Sequence, residues 1–181
     1  IVEKTSDNYR LLAQSWQLAS EDKKAIPALN TAAGLSSDGD LDLHLSRSDD
    51  DALCADDSCH YANCKPGTGD LFNPTNQDRP DWDGSGGLSA GDPLLELDDL
   101  SGNGPEIISI DTPSAGTYRA RAHVYAAPAA PTIATIRVLS GGVLVGEHQQ
   151  VLNAELLLWD GVDIVVGAGV TSADTGTLHP N

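Results

Sequence analysis

Six consecutive residues, Asp40-Leu41-Asp42-Leu43-His44-Leu45, alternate an acid or an imidazole with leucine. Such alternation is a strand signature. In a strand it sets Leu41, Leu43 and Leu45 on one face and Asp40, Asp42 and His44 on the other. Two carboxylates held side by side repel each other unless a cation or a partner lies between them, and hard oxygen donors at that spacing suit Ca²⁺. A second acidic run, Gly91-Asp92-Pro93-Leu94-Leu95-Glu96-Leu97-Asp98-Asp99, is closed by Gly102-Asn103-Gly104-Pro105-Glu106. A third, Asp81-Trp82-Asp83-Gly84, lets two carboxylates curl around a cation while Gly84 takes the turn. It is too short for an EF-hand loop, because the later bidentate Glu is missing. The expected metal set is therefore Asp40 and Asp42, Asp81 and Asp83, and Asp98 and Asp99, with Ca²⁺ as the ion. The plainer reading of each Asp is a turn cap bonded to its own backbone, or part of a solvated acidic surface. His44 could ligate a metal or act as a base. The preferred reading makes it a strand residue hydrogen-bonded to a neighbouring carboxylate.

Cys54, Cys59 and Cys64 fall at equal intervals in a polar loop. A zinc knuckle has tighter Cys-x-x-Cys pairs and a fourth ligand. His60 could be that ligand, so a Cys₃His Zn²⁺ site stands as the alternative. One disulfide is expected instead, since loop cysteines in a secreted, acidic chain staple loops. Cys59–Cys64 is the expected pair, because a five-residue separation can bring the two Cα atoms within bridging reach around a turn. Cys54–Cys64 and Cys54–Cys59 are also feasible. No His-Glu-x-x-His and no phosphate-cradling Gly-rich loop occurs. Paired carboxylates could serve a glycosidase, but three Trp, four Tyr and one Phe are few for lining a sugar cleft. The chain is accordingly expected to be non-catalytic. Two rival classes remain: an accessory carbohydrate-binding domain stacking sugars on Trp82, Tyr61 and Trp159, and a hydrolase using Asp40, Asp42 or His44.

The elements that must position these groups read as strands. Ala25 to Ala33 is a first core strand. After Asp40–Leu45 come strands over Leu94–Leu97, Glu106–Ile110, Gly116–Ala126, Thr132–Ser140, Val143–Leu152 and Glu155–Val166. In Gly116–Ala126, Thr117, Arg119, Arg121 and His123 alternate with Tyr118, Ala120, Ala122 and Val124, the pattern of a half-buried strand. Ser140-Gly141-Gly142 marks a tight hairpin, and Pro113-Ser114-Ala115-Gly116 another turn. The predicted fold is all-β, an antiparallel sandwich or jelly roll. Residues 46–91 form a long acidic loop region, of a length normally held by crosslinks or metal. Residues 1–24 form an N-terminal arm and residues 25–181 a single domain. Tyr9, Leu11, Leu12, Trp16 and Leu18 in the arm suggest a strand added to a sheet edge, of the same molecule or of a neighbouring subunit, with filament assembly as the consequence of head-to-tail exchange.

The chain of 181 residues carries 27 acidic against 10 basic side chains, a formal charge of −17. That balance argues against nucleic acid and anionic lipid and favours cation binding. Aromatics are only 4 %, so aliphatic side chains must supply most of the core. No apolar run is long enough to span a membrane. An extracellular or cell-surface location is expected, with the periplasm as an alternative.

The ordered set Asp40–Leu45, Cys59-His60-Tyr61-Ala62-Asn63-Cys64-Lys65-Pro66, Pro80–Asp83, Gly91-Asp92-Pro93, Leu97-Asp98-Asp99, Gly102 to Glu106 and Gly116-Thr117-Tyr118 resembles a β-sandwich domain of secreted and lipid-anchored myxobacterial proteins. More distantly it is similar to pre-peptidase C-terminal domains and other calcium-associated jelly rolls. The resemblance spans roughly residues 25–160. It implies an extracytoplasmic sandwich without a catalytic role and marks Asp40, Asp42, Asp81, Asp83, Asp92, Asp98, Asp99 and Glu106 as an acidic signature, which adds Asp92 and Glu106 to the expected Ca²⁺ ligands. Residues 1–24 and the tail after Gly167 fall outside it.

Overall fold

The computed structural model describes residues 28–32, 40–47, 54, 57–64, 80–87, 89–99, 105–126, 132–152 and 157–180. The N-terminal arm, with Tyr9, Leu11, Leu12, Trp16 and Leu18, lies outside the described residues.

The described residues form ten strands and no helix. They are β1 (Ala28–Ala32), β2 (Asp40–Arg47), β3 (Leu94–Leu97), β4 (Pro105–Ser109), β5 (Gly116–Ala126), β6 (Thr132–Ser140), β7 (Val143–Leu152), β8 (Leu157–Val166), β9 (Val170–Asp174) and β10 (Leu178–Pro180). Two antiparallel sheets result. The first runs β3-β4-β1-β6-β7, and the second β10-β8-β5-β2 with β9 also on β8. The expected first core strand, Ala28–Ala32 within the predicted 25–33, lies between β4 and β6. β9 and β10 were not foreseen; they cover successive halves of one edge of β8.

Alternation builds one apolar cluster shared by both sheets. It takes Leu41, Leu43 and Leu45 from β2, Tyr118, Ala120, Ala122 and Val124 from β5, and Ala134, Ile136 and Val138 from β6. β8 adds Trp159, Val162 and Ile164, and Leu95 and Ile108 come from β3 and β4. Each large aliphatic residue buried there contributes about 1.5–3 kcal/mol. The register of β2 on β5 sets Leu41, Leu43 and Leu45 beside Val124, Ala122 and Ala120 on this core face. On the other face the same register sets Asp42 beside His123, His44 beside Arg121 and Ser46 beside Arg119.

That other face departs from the half-buried strand expected for β5. Arg121 and His123 are buried, as are Asp42, His44 and Ser46. Residues from outside the sheet lie over it: the His60 ring stacks on His44 at 5.5 Å, and the Tyr61 ring meets Tyr125 edge-on at 5.8 Å. The burial of Arg121 is made tolerable by a bulge in β8. The pairing slips between Ala120↔Val162 and Ala122↔Trp159, leaving Asp160 and Gly161 opposite the single Arg121. Gly161 has φ +62°, and a Cβ there would meet the Ala120 carbonyl oxygen at 1.9 Å, so only glycine fits. The bulge brings the Asp160 carboxylate 2.7 Å from Nε of Arg121, whose NH1 donates to Ser46 Oγ at 2.9 Å.

The two sheets are joined along both flanks, by different means. On one flank lies the edge strand β2. Leu45 N–H donates to Cys59 O at 2.9 Å and Cys59 N–H to Leu45 O at 2.8 Å. Cys59 is disulfide-bonded to Cys64, and Cys64 O accepts from Leu95 N–H of β3 at 2.9 Å. A short covalent loop thus ties the edge of one sheet to the edge of the other. On the opposite flank β7 lies against β9, where His148 Nε2 and Ser172 Oγ are 3.0 Å apart.

Candidate metal centre

The first two acidic positions of β2 meet a third acid from the other sheet. One oxygen each of Asp40, Asp42 and Glu106 lies within 4.8 Å of the others. Glu106, on β4, reaches across to the open edge of β2, where its Oε2 accepts from the Leu43 N–H. Strand geometry explains the choice of donor. Leu43 and Leu45 point their amides to the same edge; Cys59 takes the second and Glu106 the first. Asp42 and Glu106 are each only 2 % exposed. Asp40 Oδ1, Asp42 Oδ2 and Glu106 Oε1 are shielded from solvent without a hydrogen-bond partner.

The electrostatics of this triad are those of an unneutralised site. Burial above all, then the charges of Asp42 and Asp98, push the Glu106 carboxyl up to about 10, against the opposing Leu43 N–H bond. Burial together with Asp42, Asp98 and Asp99 raises Asp40 to about 6. Asp98 and Asp99 therefore act on the triad through their charge. A divalent cation among the three oxygens would reverse both shifts, because it favours the charged form of each ligand.

Asp81, Asp83 and Asp92 form a separate group. Here the carboxylates are occupied by their own loop. Asp81 accepts from Ser85 N–H at 3.0 Å and Gly86 N–H at 2.8 Å. Asp92 accepts from Trp82 N–H at 2.7 Å and Ser89 N–H at 2.9 Å. Asp83 accepts from Ser85 N–H and from the Ser89 hydroxyl, bonds that hold its carboxyl below the usual range. Gly91 is required by this closure: a Cβ there would sit 2.7 Å from Asp83 Oδ2. The turn-cap reading describes these three residues.

Next to the triad stand the imidazoles. Asp42, His44 and His123 place one donor atom each within 4.8 Å of one another, and so do His44, His60 and Cys54. Asp42 Oδ2 is 3.7 Å from His123 Nδ1. His44 corrects its expected role. It is 1 % exposed, and neither Nδ1 nor Nε2 has a hydrogen-bond partner, so it is not bonded to a neighbouring carboxylate. Burial first, then His60, His123 and Arg121, holds it neutral, well below the ordinary histidine value. His123 belongs to this group although its sequence neighbours do not single it out as a site residue. The signal that could have found it was its place in the β5 alternation, which pairs it with Asp42.

Two other expectations change. Cys59 and Cys64 are bonded to each other, as expected, which leaves the proposed Cys₃His zinc set only the exposed thiol of Cys54. Trp82 and Trp159 are 6 % and 0 % exposed, so neither offers a ring face for stacking a sugar. Trp82 packs on Tyr118 at 5.5 Å and donates Nε1–H to Asp57 O at 2.7 Å. Tyr61 is half-buried. No helix of the described residues is long and apolar enough to cross a membrane.

No family model matches the chain, and neither a curated protein nor a solved structure matches it.

Proposed function

We propose that the chain is an extracytoplasmic, non-catalytic Ca²⁺-binding β-sandwich of the kind its ordered motifs resemble, with a structural or adhesive role. The observation that carries this reading is the Asp40–Asp42–Glu106 triad. Three carboxylates from two sheets converge on one point, each with a shielded oxygen that has no hydrogen-bond partner. Among the candidate groups, all-oxygen donors are the chemistry of a hard cation. The bound ion would fasten β4 to the edge of β2, which makes its effect one of stability. The disulfide beside it supports an oxidising compartment. The shared apolar cluster and the two closed flanks support a sandwich.

The test is thermal unfolding with and without Ca²⁺. A ligand that binds only the folded state stabilises by about 2.7 kcal/mol at a hundredfold excess over its Kd. Ca²⁺ should raise the melting temperature, EDTA should lower it, and Glu106→Gln and Asp42→Asn should abolish the shift. Asp83→Asn, in the self-capped loop, should leave it intact. An unchanged melting curve, with no metal found by elemental analysis, sinks the reading.

A further inference from the structure

Buried polar groups are nearly always satisfied, and an imidazole always carries at least one N–H that needs an acceptor. His44 breaks that rule at both ring nitrogens while only 1 % exposed. The ring is held by packing: His60 stacks on it at 5.5 Å with a 22° tilt, and His123 meets it edge-on at 5.8 Å. Nothing in this packing uses the nitrogen lone pair. Metal coordination is the chemistry that a buried, neutral imidazole performs with that lone pair.

We propose that Asp42, His44 and His123 form a second cation centre, one that takes a borderline first-row dication such as Zn²⁺. Two imidazoles and a carboxylate suit such an ion, whereas the neighbouring all-carboxylate triad suits a hard one. The centre shares Asp42 with the Ca²⁺ site but does not depend on it. The donors come from adjacent strands in fixed register, Asp42 directly opposite His123 and His44 one diagonal step away. With metal–ligand bonds of about 2.0–2.2 Å, tetrahedral donors stand roughly 3.3–3.5 Å apart. Asp42 Oδ2 and His123 Nδ1 are already at 3.7 Å, and one donor atom each of Asp42, His44 and His123 lies within 4.8 Å of the others. Arg121 faces the group from β5, and Asp160 pairs with it at 2.7 Å. His60 and Cys54 also place a donor atom each within 4.8 Å of one of His44, and either could supply a fourth ligand.

The probe is Co²⁺, read by its visible d–d bands, with Zn²⁺ followed by calorimetry, on the full chain with its disulfide intact. One equivalent should bind with the spectrum of a four- or five-coordinate site. His44→Leu and His123→Ala should each weaken binding at least about tenfold, while the Ca²⁺-induced melting shift persists. Asp42→Asn alone should impair both metals. Should a histidine variant not fold, imidazole ¹⁵N shifts of the wild type decide: Zn²⁺ must move His44 and His123 and leave His148 and His179 unmoved. Absence of Co²⁺ and Zn²⁺ binding, unchanged affinity in both histidine variants, or shifts confined to His148 and His179 would overturn the proposal. A missing Ca²⁺ shift with Zn²⁺ binding intact would overturn only the Ca²⁺ reading.

Discussion

Glu106 sits where a carboxylate is least comfortable: shielded, beside the charges of Asp42 and Asp98, with the Leu43 N–H as the bond that favours its charged form. Its folded-state value of about 10 lies far above the ordinary carboxyl value of 4.5. In metal-free protein the folded state therefore holds a proton that the unfolded chain releases. Stability on this account is full below the unfolded value and falls as pH rises from about 4.5 towards 10. Chelator-treated wild type should lose stability across that window in urea titrations, and Glu106→Gln should flatten the dependence. An equal slope in both proteins would show that Glu106 ionises freely. Asp160 runs the other way. Burial opposes its charge, but the Arg121 bond and charge, helped by Arg119 and His179, hold its carboxyl below the usual range. Its contribution is present above the unfolded value and lost as pH falls through the folded one.

At the scale of elements, the Cys59–Cys64 loop decides whether β2 is an open edge or a closed one. Closing so short a loop covalently stabilises by about 2 kcal/mol on the chain-entropy account. Reduction should lower the urea midpoint accordingly and raise hydrogen exchange at the Leu45 and Leu95 amides, whose acceptors the loop provides. An unchanged midpoint would show that the loop holds without its bond. Most strands were legible in the chain because their apolar residues repeat every second position, as in Asp40–Leu45 and Gly116–Ala126. β9 and β10 were not: Val170–Asp174 and Leu178–Pro180 are short, polar and largely exposed, and only pairing with β8 makes them strands. The candidate site was half legible. Adjacent acids announced Asp40 and Asp42, and Glu106 came only with the motif resemblance. The partnership of His44 with His123 and His60 required knowing that the polar face of β2 and β5 is covered. Alternation reports which residues share a face but not what lies over it, so a buried polar row looks the same as a solvated one.

At the scale of the molecule, a chain of charge −17 gathers six of its 27 acids into two groups, one at the β2 edge and one in a loop. Each dication bound at the β2 edge would offset two of those charges while adding a fastener. The two flanks differ in this respect. One is sealed by a covalent bond, backbone hydrogen bonds and the acids that meet there. The other rests on β7 against β9, with the His148–Ser172 contact between side chains. Such an asymmetry gives the molecule a direction of opening, much as a book opens away from its spine. Native-state hydrogen exchange should find the amides of β9, β10 and β7 exchanging through low-energy openings, while those of β2 and β5 exchange only with global unfolding. Uniform protection on both flanks would count against this. A partner that prises the sheets apart, or a protease that samples the opened state, would therefore meet the residues of β7 and β9 first and reach the histidines beneath the disulfide loop last.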